Sequence, residues 1–146
     1  MMDDGQRQKL LDLFGSQHVA IISTQGREWP TATMQAFAET PELDLLFIMG
    51  DSDKYRNLTE RPGVTVEIDD RDRGDIATFR VNRATIYGTA AEIPRGVQWN
   101  LLKEHFIRKN PFEERFFASD ALKMIRVTPR RISFAGADYK NFKVEL

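Results

Sequence analysis

Apolar and polar residues alternate with a period of two over most of this chain, and only three stretches carry a helical period. Gln6–Phe14 brings Leu10, Leu11, Leu13 and Phe14 to one side, which predicts a short helix stopped by Gly15. His18–Thr24 reads as a buried strand and Trp29–Ala38 as a second, with Pro30 at its start or on an edge. Leu43–Met49 is apolar enough to be covered on both faces. Three strands so close in sequence predict an antiparallel meander. Gly63–Asp69 alternates as a fourth strand. Ile76–Ile93 is too long for an average strand and predicts one bent strand or two, with Gly88 as a bulge or point of close approach. Arg95–Asn110 is helical, with Val97, Leu101, Leu102 and Phe106 on one face. Ala121–Gly136 predicts two short strands divided at Pro129.

Six or seven strands with a few peripheral helices predict a mainly β fold. A closed or nearly closed antiparallel barrel leaves few strand edges bare, and a sandwich with helical insertions is the competing arrangement. The 146 residues suit a single domain, 1–146, large enough to bury its own core.

The third helical stretch lies between two of these strands, in Gly50–Val64, "GDSDKYRNLTERPGV". Asp51, Ser52 and Asp53 all favour a helix N-cap, and Arg61–Pro62 is a natural end. Lys54 would then stand in the first turn. A helix start already carries partial positive charge, so a lysine there mildly disfavours the free helix. A bound anion reverses that balance, because ammonium, hydroxyl and open backbone N–H groups converge on it. Ser52 and Lys54 are therefore a candidate phosphate cradle. The competing reading is an ordinary capped helix with a solvated lysine.

Charge and composition narrow the rest. Lys plus Arg is 21 against 22 Asp plus Glu, a net charge of -1, which gives no general pull toward nucleic acid. The absence of cysteine removes disulfides, thiolate metal sites and thiol catalysis. The acidic, polar start and the lack of a long apolar run predict a cytoplasmic protein without a membrane span. His18 and His105 lack metal-ligand spacing, and the carboxylates of "DDRDRGD" alternate with arginines as in a solvated ion-paired loop.

"SDKYRNLTERPGV" preceded by "LLFIM", together with "HVAIISTQGREWPTATMQAF" and "RATIYGTAAEI", resembles the pyridoxamine 5'-phosphate oxidase-like, FMN-binding split-barrel superfamily. The resemblance covers about residues 10–136. It implies a split barrel that forms a homodimer with flavin at the subunit interface. It implies FMN phosphate held by Ser52 and Lys54, with Asn57 orienting that loop. Thr33, Met34 and Gln35 would run beside the ring, and Arg83 would lie on the strand that reaches the flavin of the other subunit. Met49 stands where many relatives carry a phosphate-binding threonine. Ser133, Phe134 and Ala135 replace the Glu, aromatic and Trp expected of true pyridoxamine phosphate oxidases.

The expectation is a flavin-dependent oxidoreductase acting on a small molecule other than pyridoxamine phosphate, with no acid or base residue identified. The alternatives are a deazaflavin-dependent reductase, a haem-binding or haem-degrading protein, and a non-enzymatic flavin carrier or sensor. Micromolar to nanomolar binding needs about 8–12 kcal/mol, and a lysine on phosphate gives at most about 4 at an effective dielectric of 20. The ring must therefore bury apolar area, with Met34 and Met49, and Trp99 or Phe142, as candidates.

Overall fold

The computed structural model describes residues 2–146. Helix α1 (Asp4–Ser16) begins with a capping box, in which Asp3 accepts from the Gln6 amide and Gln6 accepts from the Asp3 amide. Its Leu10, Leu13 and Phe14 enter the core. Strands β1 (Val19–Gln25) and β2 (Pro30–Ala36) form a hairpin. The short β3 (Ala38–Glu39) leads through a turn to β4 (Leu45–Met49). Helix α2 (Asp53–Glu60) follows, then β5 (Gly63–Asp69), β6 (Arg83–Glu92), helix α3 (Val97–Lys109), β7 (Lys123–Ala135) and β8 (Asn141–Glu145).

All strand pairs are antiparallel, in the order β2-β1-β5-β6-β7-β4-β3, with β8 also on β7. The sheet curls until β2 at one end comes back beside β4. No ladder joins those two; instead Gln35 Nε2 donates to the Ile48 carbonyl at 2.7 Å across the split. The predicted split barrel is thus the observed fold.

The predicted meander is not. β1 pairs with β2 and β5, whereas β4 lies between β7 and β3. The cause is the composition of β4, which is buried at every position and needs cover on both faces. Leu45, Phe47 and Met49 enter the main core, and Leu46 and Ile48 meet Trp99, Phe106 and Met124 in a second cluster under α3. β2, whose Met34 is 69% exposed, is covered on one face only along most of its length.

Three further expectations change. The long strand starts only at Arg83, because Asp75 caps a 3-10 turn over Ile76–Thr78 and Phe79 adopts a left-handed conformation (φ 56°). The two strands around Pro129 are one strand of thirteen residues. Pro129 sits opposite Gly88, where the β6–β7 register shifts, so its missing N–H falls at an interruption of the ladder. In α3 the inward face is Trp99, Leu102 and Phe106, while Val97 and Leu101 are exposed. Trp99 brings more apolar area than Val97, and Arg95 stacks on it at 4.2 Å. β8 was not predicted at all.

No helix among the described residues is long and apolar enough to cross a membrane.

Candidate functional site

The end of β4 releases the chain from the core at Met49. The Ser52 amide donates back to the Gly50 carbonyl at 2.9 Å, and Ser52 caps α2 by accepting from the Tyr55 amide at 3.3 Å. Ser52 keeps its own hydroxyl proton. The amides of Asp53 and Lys54, the first two of the helix, have no acceptor among the described residues.

Helical spacing puts Lys54, Tyr55, Asn57, Leu58 and Arg61 on the side of α2 that meets the barrel. Leu58 is buried in the main core. Asn57 Nδ2 donates to Thr24 Oγ1 at 3.1 Å, and Thr24 shares a 2.6 Å hydrogen bond with Thr31. Arg61 Nε donates to the Gln25 carbonyl at 2.6 Å. On the solvent side, Arg56 pairs with Asp51 at 3.0 Å and also with Asp53. Both nearby carboxylates are taken by Arg56, and half-buried Lys54 has no hydrogen bond or ion pair among the described residues.

Beside α2, the inner face of β2 carries Thr31, Thr33 and Gln35. Thr31 is tied to β1 and Gln35 to β4. Between them Thr33 Oγ1 is buried without a partner. A buried hydroxyl left unpaired costs about 1–3 kcal/mol, so a polar ligand atom in the split would find a ready partner there.

The other predicted residues are dispersed. Met34 points to the outer face, opposite Ile21 on β1. Met49 is 4% exposed inside the main core. Arg83 opens the ten-residue β6, about 30 Å of extended strand away from Glu92 at its far end, where the Tyr55 hydroxyl donates to Glu92. Within one chain, Arg83 therefore stands apart from α2. Trp99 belongs to the cluster under α3, and Phe142 stacks on Phe134 at 4.8 Å beyond the far half of β7. His105 Nε2 lies 2.6 Å from the Glu39 carbonyl and His18 Nδ1 3.4 Å from Asn110 Oδ1.

Glu92 and Lys123 meet the side chain of Tyr55, which stands in the first turn of α2, and no local pattern in the sequence singles out these three residues. The hydrogen bond to Glu92 raises the Tyr55 hydroxyl above its ordinary pKa. The pairing of Met49 with Lys123 that brings β7 here is a property of the sheet register, which no local pattern reveals.

On the outer face, the row Met34, Ile21, Glu67, Thr85, Ser133, Lys143 crosses six strands. Glu67 accepts from the Thr85 hydroxyl, and burial holds its carboxyl above the ordinary value of 4.5. The folded protein therefore binds a proton at Glu67 more tightly than the unfolded chain does. Stability from this group is complete below 4.5 and is lost as pH rises through the raised value. Glu67→Gln is expected to be more stable than wild type at pH 7 by about 0.5 kcal/mol, a figure kept small by solvent screening, and the gap should vanish at pH 4. Urea unfolding at the two pH values measures this; a less stable variant at pH 7 would contradict it.

No family model and no curated protein matches this sequence. Solved structures do match. A heme binding protein from Mycobacterium smegmatis superposes with a TM-score of 0.86 at 14% identity, over 99% of this chain. The chain spans 60% of the length of that protein. A Listeria innocua protein provisionally named a pyridoxamine 5'-phosphate oxidase gives 0.67 at 18% identity, covering 88% of this chain and 96% of its own. A FAD-binding protein from Mesorhizobium loti gives 0.70 at 14% identity, covering 87% and 91%. The chain has the split-barrel fold of the pyridoxamine 5'-phosphate oxidase-like proteins.

Proposed function

We propose that this chain binds FMN at the split between β2 and β4, with the phosphate on the first turn of α2, and serves flavin-dependent oxidoreduction of a small molecule as a homodimer. The observation that carries this reading is Lys54, a half-buried residue whose ammonium has no counter-ion among the described residues and which lies beside two open amides. The donor set suits a phosphate: one ammonium, the amides of Asp53 and Lys54, and the Ser52 hydroxyl. Arg56 pairs with both Asp51 and Asp53 and offsets one of their two charges, which weakens their repulsion of the anion. The unpaired Thr33 hydroxyl is available to a polar edge of the ligand. When bound, the flavin supplies the electron or hydride transfer; the chain binds, orients and shields it.

Two relatives in fold are named for different cofactors, FAD and heme. Flavin is the better match to this chain, because the donors at α2 suit an anion and neither histidine is among them. Arg83 is left for the partner copy of a dimer, since its own α2 is out of reach.

Titrating the purified protein with FMN and with riboflavin, by quenching of flavin fluorescence, tests the reading. FMN should bind at least about tenfold more tightly, the worth of one or two charge-assisted hydrogen bonds to phosphate. Equal affinities, or no binding of FMN, would refute the phosphate site. A Soret band in the protein as purified would favour the haem alternative.

A further inference from the structure

The proposed cradle contains one lysine, yet a phosphate monoester near neutral pH carries close to two negative charges. A second unpaired cation stands against the ring of Tyr55, a residue of that helix turn. Lys123 opens β7, where it pairs with Met49, the residue that immediately precedes the Gly50–Ser52 approach to α2. Directly paired residues share a face of the sheet, and Met49 faces the main core. Lys123 therefore emerges on the inner side of the barrel rim, under α2. Its Nζ lies 5.6 Å from the ring centre of Tyr55, which occupies the first turn of that helix. Lys123 is half-buried and makes no hydrogen bond or ion pair among the described residues.

Besides Asp51 and Asp53, Glu92 lies against this turn, and none of the three carboxylates forms an ion pair with Lys54 or Lys123 among the described residues. Asp51 and Asp53 are paired with Arg56, and Glu92 accepts the Tyr55 hydroxyl. Lys54 and Lys123 thus approach one helix start from two different elements, the helix itself and the sheet, with no protein anion committed to either.

Resting on the FMN reading above, we propose that Lys123 is a second phosphate-binding residue, which closes the cradle from the β7 side opposite Lys54. The site would then recognise a phosphate monoester dianion in preference to a singly charged or neutral tail. Tyr55 would act as a positioning residue: its ring holds the Lys123 ammonium and its hydroxyl keeps Glu92 occupied.

The test compares FMN and riboflavin affinities, by fluorescence titration, for wild type, Lys54→Ala, Lys123→Ala and Lys123→Arg, with urea unfolding of each as a check on folding. Lys123→Ala should weaken FMN binding by about tenfold and leave riboflavin unchanged, and Lys123→Arg should recover most of the loss. If Lys123→Ala weakens both ligands equally, or neither, the inference is overturned, because the lysine then serves only the packing of Tyr55. Wild type that binds FMN, loses it in Lys54→Ala and keeps it in Lys123→Ala overturns this inference alone. Wild type that binds no FMN overturns the underlying reading and this inference together.

Discussion

Lys54→Ala is expected to weaken FMN binding by about 10- to 100-fold, corresponding to a charged hydrogen bond of about 1.5–3 kcal/mol. Riboflavin binding should stay within about twofold, because the change removes a phosphate contact only. The variant should fold at least as well as wild type. Lys54 is half-buried without an ion pair or hydrogen bond among the described residues, and a cation at a helix start costs about 0.3–1 kcal/mol, so its removal breaks no such contact and relieves a small repulsion. Urea unfolding and fluorescence titration of the same preparations separate the two effects. Loss of affinity with unchanged or improved stability is the signature of a binding residue. Loss of stability with unchanged FMN affinity would make Lys54 a structural residue. Lys54→Arg should retain part of the affinity, since charge survives while the reach and geometry of the group change.

Gly88→Ala is expected to destabilise the fold by about 1–3 kcal/mol through overpacking. A Cβ at Gly88 would stand 2.5 Å from the Thr128 carbonyl oxygen and 3.0 Å from Val127 Cγ1. The obstacle is backbone, and it has nowhere to go. Val127 is fully buried and pairs on its other side with Leu45 of β4, so β7 is held between two strands. Gly63→Ala is the matched control on the neighbouring strand. There the added Cβ would meet only the Gln25 side-chain amide at 3.0 Å, and this flexible, exposed side chain can move at the cost of its 3.1 Å hydrogen bond to the Gly63 carbonyl. Thermal or urea unfolding should rank Gly88→Ala well below Gly63→Ala. Equal stabilities would mean that β6 and β7 do not approach as described.

Elements whose pattern is complete within themselves were legible in the sequence. β5 was bounded correctly because Val64, Val66 and Ile68 alternate without interruption. β4 was read as doubly buried from its unbroken apolar run, and so it is. Asp51, Ser52 and Asp53 announced the start of α2, and Ser52 is the one that caps it. What failed depended on a partner strand. Pro129 looks like a strand end until Gly88 is placed opposite it, and β8 has only Phe142 and Val144 to mark it until β7 pairs with it. The meander failed because adjacency in sequence said nothing of the cover that α3 provides for β4.

The site divides in the same way. The composition of the α2 start was visible, but the freedom of Lys54 was not, because it depends on Arg56 reaching both Asp51 and Asp53. The family resemblance implies one lining of Thr33, Met34 and Gln35, yet strand alternation sends Met34 to the outer face. Gln35 proved to be a clasp across the split as well as a candidate lining residue.

The central claim is that a phosphate belongs at the first turn of α2. A crystal structure of the protein grown with FMN measures this directly. The account predicts phosphate density within hydrogen-bonding distance of the Lys54 ammonium and the Asp53 and Lys54 amides. Density for the flavin elsewhere on the barrel, with the α2 turn holding only water, would contradict it.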